Sequence, residues 1–168
     1  PGTGAGRGNA TKGRGELEGV LKPGHMGGKN WPPTTYSPET NYYYIPTIEG
    51  CNKAFTEITE PGKHKPRQLF LGGAPFSTFD DPECGRIEGS ITAIDVQTGK
   101  VAQKHWTKYP QLGGLLSTAG GLVFSGYAEG KVAALDANTL EELWSFETGS
   151  AINAPPMTFM SSGKQYIA

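Results

Sequence analysis

Asn30 and Trp31 stand two and three residues after the pair Gly27-Gly28 and directly before Pro32-Pro33. An amide offers two N–H donors and a carbonyl acceptor, and an indole offers one N–H and a large face. Glycines beside them let a backbone approach a ligand closely. The plainer reading of the same residues is structural, with Asn30 capping a turn before Pro32 and Trp31 filling core, and taken alone they favour it. Other chemistry-bearing residues are weaker still. His25, His64 and His105 lack metal-ligand spacing and read as surface or turn residues. Asp80-Asp81 beside Glu83 reads as a solvated acidic loop before a calcium site. Ser117 and Ser125 have no evident histidine partner for nucleophilic work. Gly2, Gly4, Gly6 and Gly8 alternate as in a phosphate loop, but no Gly-Lys-Ser/Thr ending follows and no strand precedes them. Cys51 and Cys84 allow one disulfide in an oxidising compartment, or two free thiols.

What must position these residues is a repeat. Ala93-Ile94-Asp95-Val96-Gln97-Thr98-Gly99 returns 41 residues on as Ala134-Leu135-Asp136-Ala137-Asn138-Thr139-Leu140. A period of about 40–45 residues built on short strands is that of a propeller blade. In the second copy, Gly114–Thr118 reads as an inner strand. Gly121–Gly126, Lys131–Leu135 and Glu142–Phe146 follow as three more, joined by tight turns at Glu129-Gly130 and Asp136–Thr139. Aspartate and asparagine favour such turns because their side chains hydrogen-bond nearby backbone. Trp144 is expected to dock on a neighbouring blade. Leu140 replaces the glycine of the first copy, so that turn must avoid positive φ or carry strain.

The first copy differs in shape. Tyr42–Pro46 and Gly89–Ile94 read as adjacent strands, with the Tyr42-Tyr43-Tyr44 run as strand packing, yet an excursion over about 49–88 separates them. A loop that long in a compact fold is usually functional or disordered. Lys100–Trp106 reads as the outer strand, with Gln103 where the second copy has Trp144. A third unit begins at Ala154–Phe159 and continues into Lys164–Ala168. With 25 glycines and 13 prolines among 168 residues and few charges, the composition suits turn-rich all-β structure. Two full blades and parts of others are fewer than the roughly four to eight of a closed ring. The chain, residues 1–168, is therefore expected to be a partial β-propeller domain and a fragment of a longer polypeptide. A net charge of −1 gives no reason to expect nucleic acid, and no apolar run approaches membrane-spanning length.

Three stretches in this order resemble the quinoprotein alcohol dehydrogenases, which use pyrroloquinoline quinone (PQQ) and a metal ion. They are Gly27-Gly28-Lys29-Asn30-Trp31-Pro32-Pro33, Gly113–Gly126, and Thr148–Pro156 with Gly163-Lys164-Gln165-Tyr166 after it. The resemblance covers roughly residues 24–168 and is similar in kind to the methanol and ethanol dehydrogenases. It implies the C-terminal part of an eight-bladed propeller with four-stranded antiparallel blades. It also implies oxidation of a primary alcohol by hydride transfer to PQQ, with a Ca²⁺ or lanthanide ion, electrons leaving to a c-type cytochrome, and a periplasmic location. A homodimer is compatible with it. It places Asn30 and Trp31 at the cofactor, with the catalytic base and metal ligands upstream of these 168 residues. Where some methanol-oxidising members carry a tryptophan before the second Gly-Gly, this chain has Leu112, which argues against a close copy of those enzymes. Two other readings remain: a non-catalytic propeller scaffold of the outer-membrane assembly type, and a sugar- or polymer-oxidising relative using the same cofactor. A pure scaffold would need neither the Gly-Gly-Lys-Asn-Trp element nor the long excursion.

Overall fold

The computed structural model describes residues 17–21, 23–24, 26–56, 66–67, 80–81 and 85–168. The strands among them are β1 (Leu17–Leu21), β2 (Thr35–Ser37), β3 (Tyr42–Glu49), β4 (Asn52–Thr56), β5 (Asp80–Asp81), β6 (Gly85–Arg86) and β7 (Glu88–Asp95). They continue with β8 (Val101–Thr107), β9 (Leu115–Thr118), β10 (Leu122–Gly126), β11 (Lys131–Asp136), β12 (Glu142–Glu147), β13 (Thr158–Ser161) and β14 (Lys164–Ile167). No helix occurs among the described residues, so none is long and apolar enough to cross a membrane.

The chain divides into two units. The larger holds residues 26–49 and 88–168. It carries two four-stranded antiparallel sheets, ordered β2-β3-β7-β8 and β12-β11-β10-β9, and the hairpin β13-β14. Each sheet is one blade, with its strands in sequence order from inside to outside. The register places Ala93 opposite Gln103 and Ala134 opposite Trp144, and both ladders shift immediately afterwards, at Ala93/Ile94 and Ala134/Leu135. The 41-residue repeat is therefore a repeat of irregularities as well as of strands. The third inner strand starts later than the sequence suggests, at Thr158 and not Ala154. Pro155 and Pro156 lack the N–H a ladder needs.

The core lies where the two blades meet. Tyr44, Ile91 and Ala93 of the first pack with Leu115, Val123, Tyr127, Ala133, Leu135, Ala137 and Leu140 of the second. Each large aliphatic side chain buried there stabilises by about 1.5–3 kcal/mol. Polar groups join the blades as well. The Tyr44 hydroxyl donates to the Ala137 carbonyl at 2.6 Å and pairs with Thr40 Oγ1 at 2.8 Å. On the inner strands, Thr35 Oγ1 and Ser117 Oγ lie 2.7 Å apart, and Ser117 Oγ donates to the Tyr36 carbonyl at 2.9 Å. His105 is no surface or turn residue: it sits on β8, half-buried, with its ring edge-on to Tyr127 at 6.4 Å. Trp144 is not buried within this chain. It lies on the edge strand β12, 53% exposed, stacked on Phe146.

The smaller unit holds residues 1–25 and 50–87. Expected as a loop, the excursion instead contributes β4, which pairs with β1 from the N-terminal segment, and the short ladder β5-β6. Cys51 is buried and disulfide-bonded. The one other cysteine, Cys84, lies outside the described residues, as do His25, His64, Glu83 and the glycines of 2–8.

Candidate functional site

Antiparallel order sets which loops share an end of the blades. β3 finishes where β2 begins, so the segment before each inner strand lies beside the far end of the next strand. Three segments therefore gather at one end of the larger unit: residues 26–34 before β2, 108–114 before β9, and 148–157 before β13. Backbone hydrogen bonds stitch the first two to the sheet ends and to each other. Ile48 N donates to Gly28 O at 2.9 Å, Gln111 N to Thr47 O at 3.3 Å, and Leu115 N to Pro33 O at 3.1 Å. Gly114 is the point of closest approach. Its φ is +67°, and a Cβ there would lie 2.9 Å from Pro155 Cβ and 3.0 Å from Pro33 Cδ. No other residue type fits both the conformation and the space.

Asn30 and Trp31 lie in the first of these segments. Asn30 Nδ2 donates to the Met26 carbonyl at 3.1 Å, and its Oδ1 accepts from Trp31 N at 2.8 Å. These bonds close the turn and fix the amide, which was the structural reading of Asn30. They use one of its two N–H groups; no described residue takes the other. Within this chain Trp31 is 62% exposed, and its indole N–H has no partner among the described residues. A fixed amide with a spare donor beside an open aromatic face suits a planar ligand rimmed with oxygens. PQQ, with its carbonyls and carboxylates, is a ligand of that chemistry.

Beneath the rim the polar groups are committed to structure. Buried Gln111 Nε2 donates to Ser125 Oγ and to the Gly126 carbonyl, the latter at 2.9 Å, and Ser125 Oγ donates to Gly114 O at 2.8 Å. This network anchors the Gly113-Gly114 turn, and it gives Ser125 a scaffolding role. Sequence reading missed Gln111, whose only signal was a polar side chain just before an apolar run. Glu49, at the end of β3, is held by Lys104 Nζ at 2.6 Å and by Thr47 and Ser90 hydroxyls at 3.0 Å. Burial alone would raise its carboxyl, but those hydrogen bonds outweigh it and hold the pKa below the usual range. With all three partners on Oε1, this ionised carboxylate reads as a structural ion pair. Leu112 is half-buried in the second segment. No group of three or more His, Cys, Asp or Glu side chains able to hold a metal occurs among the described residues.

Comparison with known proteins agrees with this architecture. Residues 89–167 match the family model for the PQQ glucose/ethanol/alcohol dehydrogenase β-propeller domain. The quinoprotein ethanol dehydrogenase of Pseudomonas putida is 38% identical over 148 residues, covering 88% of this chain and 23% of that protein. The 1-butanol dehydrogenase (quinone) of Thauera butanivorans is 35% identical over 150 residues, covering 88% of this chain and 23% of its own length. Among solved structures, the quinohemoprotein alcohol dehydrogenase of Comamonas testosteroni superposes with a TM-score of 0.72 at 30% identity, over 91% of this chain and 23% of that one. A europium-containing methanol dehydrogenase gives 0.69 at 29% identity, over 88% of this chain and 25% of that one. The chain spans about a quarter of the length of the relatives it matches. Over that length it is similar to the β-propeller of the PQQ-dependent quinoprotein alcohol dehydrogenases.

Proposed function

We propose that the protein to which this chain belongs is a PQQ-dependent oxidoreductase that oxidises a primary alcohol of the methanol or ethanol kind. The observation that carries this reading is the 38% identity to a quinoprotein ethanol dehydrogenase along 88% of the chain. It is joined by the exposed Trp31 and the spare donor of Asn30 at the blade end. Relatives named for ethanol, 1-butanol and methanol support a small alcohol as substrate. PQQ, when bound, supplies hydride acceptance from the alcohol carbon, with a metal ion as Lewis acid. Asn30 would hold an oxygen of the cofactor edge and Trp31 would cover part of its plane. Gly114 and the Gln111–Ser125 network would keep the neighbouring turn in place.

The metal is Ca²⁺ or a lanthanide in this reading; the europium-containing neighbour favours including lanthanides in any trial. Electrons would pass to a c-type cytochrome, in keeping with the relative named lupanine 17-hydroxylase [cytochrome c]. The location would be periplasmic, where a disulfide at Cys51 would persist. The test is reconstitution of the purified full-length protein with PQQ and either Ca²⁺ or a lanthanide, followed by ethanol-dependent reduction of an artificial electron acceptor. Turnover that requires both PQQ and metal is the expected result. A protein that takes up no PQQ under either condition would overturn the reading.

A further inference from the structure

The Asn30–Trp31 segment is one of three that gather at the same blade end, and the third carries its own exposed amide. Asn153 lies within residues 148–157, exposed, with no hydrogen-bond partner among the described residues. Its flanks are fixed. Ile152 N donates to the Tyr127 carbonyl at 3.1 Å, and Thr148 N donates to Gly130 O at 2.7 Å. The Ile152 side chain rests on Gly126 so closely that a Cβ at Gly126 would collide with it. On the other side Pro155 packs at Gly114, whose opposite neighbour is Pro33. Pro33 is two residues from Trp31, as Pro155 is from Asn153. The backbone under this exposed amide is held between a pinned isoleucine and a pinned proline, so little loop entropy remains to be lost on binding.

We propose that residues 148–157 form a further wall of the site begun by Asn30 and Trp31, and that the Asn153 carboxamide donates to an anionic oxygen on the rim of the bound planar acid. This rests on the PQQ reading above. Two neutral amides then flank the ligand from different blades, and the Pro33–Gly114–Pro155 contact sets the separation between them. Asn153 is a binding residue in this scheme, with no part in proton transfer.

The test uses the full-length protein with PQQ and Ca²⁺, and reads the dissociation constant by quenching of tryptophan fluorescence, with the thermal midpoint of the ligand-free protein alongside. Asn153→Ala is expected to weaken PQQ binding about tenfold to a hundredfold, the loss of one hydrogen bond to a charged group. Asn153→Asp is expected to weaken it at least as much, with a deficit that shrinks as salt screens the repulsion. Neither should move the ligand-free midpoint, because the side chain is exposed and unpartnered. If both variants bind PQQ like the parent while Asn30→Ala binds it weakly, the third wall is refuted and the PQQ reading stands. If the parent itself binds no PQQ, the reading and this inference fall together. A lowered midpoint with unchanged affinity would show a structural role and refute the contact.

Discussion

The two Asp-x-x-Thr turns are nearly identical in hydrogen bonding and opposite in surroundings. In the first, Asp95 Oδ1 accepts from Gln97 N at 2.8 Å and Thr98 N at 3.0 Å; in the second, Asp136 Oδ1 accepts from Asn138 N at 2.8 Å and Thr139 N at 2.9 Å. Each turn closes with the fifth residue donating to the aspartate carbonyl, Gly99 at 2.8 Å and Leu140 at 2.9 Å. That fifth residue is left-handed in both, with φ of 67° and 60°. Around Gly99 there is open space, and Val96 beside it is 48% exposed. Leu140 is 2% exposed, Ala137 is fully buried, and Tyr44 from the other blade bonds the Ala137 carbonyl. So the same motif tolerates a leucine at positive φ only where burial offsets the strain. A leucine there carries about 1–2 kcal/mol of left-handed penalty, against about 1.5–3 kcal/mol from burying its side chain.

Truncating the buried side chain should be the most costly change. Leu140→Ala keeps the left-handed strain and loses the packing, so denaturant unfolding should show a loss of about 2–5 kcal/mol. A loss below 1 kcal/mol would mean that burial does not hold this turn. Next comes Tyr44→Phe, which leaves the Ala137 carbonyl without its donor. We expect a loss of about 1–3 kcal/mol by the same measurement, and no loss would remove Tyr44 as the tie between the blades. Making the first turn copy the second, Gly99→Leu meets no steric obstacle but gains no burial. It should cost about 1–2 kcal/mol of backbone strain; a gain in stability would show that the first turn has a covering surface of its own.

The smallest effects are in pH. Backbone N–H donors from Thr98 and Gln97 hold the Asp95 carboxyl below the ordinary range, and Thr139 and Asn138 do the same for Asp136. A folded pKa below the unfolded one means stabilisation that is present above the unfolded value and fades as pH falls through the folded value. NMR titration should show the two aspartates depressed alike, since burial differs around the turns but not at the carboxylates. His105, which joins the blades, behaves with the opposite charge. Burial lowers its pKa from 6.5, against the opposing pull of the Leu140 carbonyl and Glu142, while Lys131 adds to the lowering. The neutral ring is favoured in the fold, so stability should fall as pH drops below about 6.5 and level off below the folded value. A His105→Gln variant should flatten that segment of the stability profile, and an unchanged profile would discard the assignment.

Much of this was written in one dimension. The strands, the turn residues and the equivalence of Gln103 with Trp144 follow from local chemistry repeating along the chain, because turns and alternation depend on neighbours a few residues away. The pairing of excursion residues with the N-terminal segment was not legible, since β1 and β4 lie far apart in sequence and neither carries a turn that announces the other. Asn30 was visible as a candidate, but its two local bonds and its spare donor were not.

The sequence by itself determined the blade: which residues turn and which strands follow one another, consequences of short-range sterics and hydrogen bonding. Only the tertiary structure decided which copy of the turn is buried, that His105 faces Tyr127, and that Pro33, Gly114 and Pro155 meet at one end. Those are matters of packing between distant segments, where burial free energy is realised only after the blades come together.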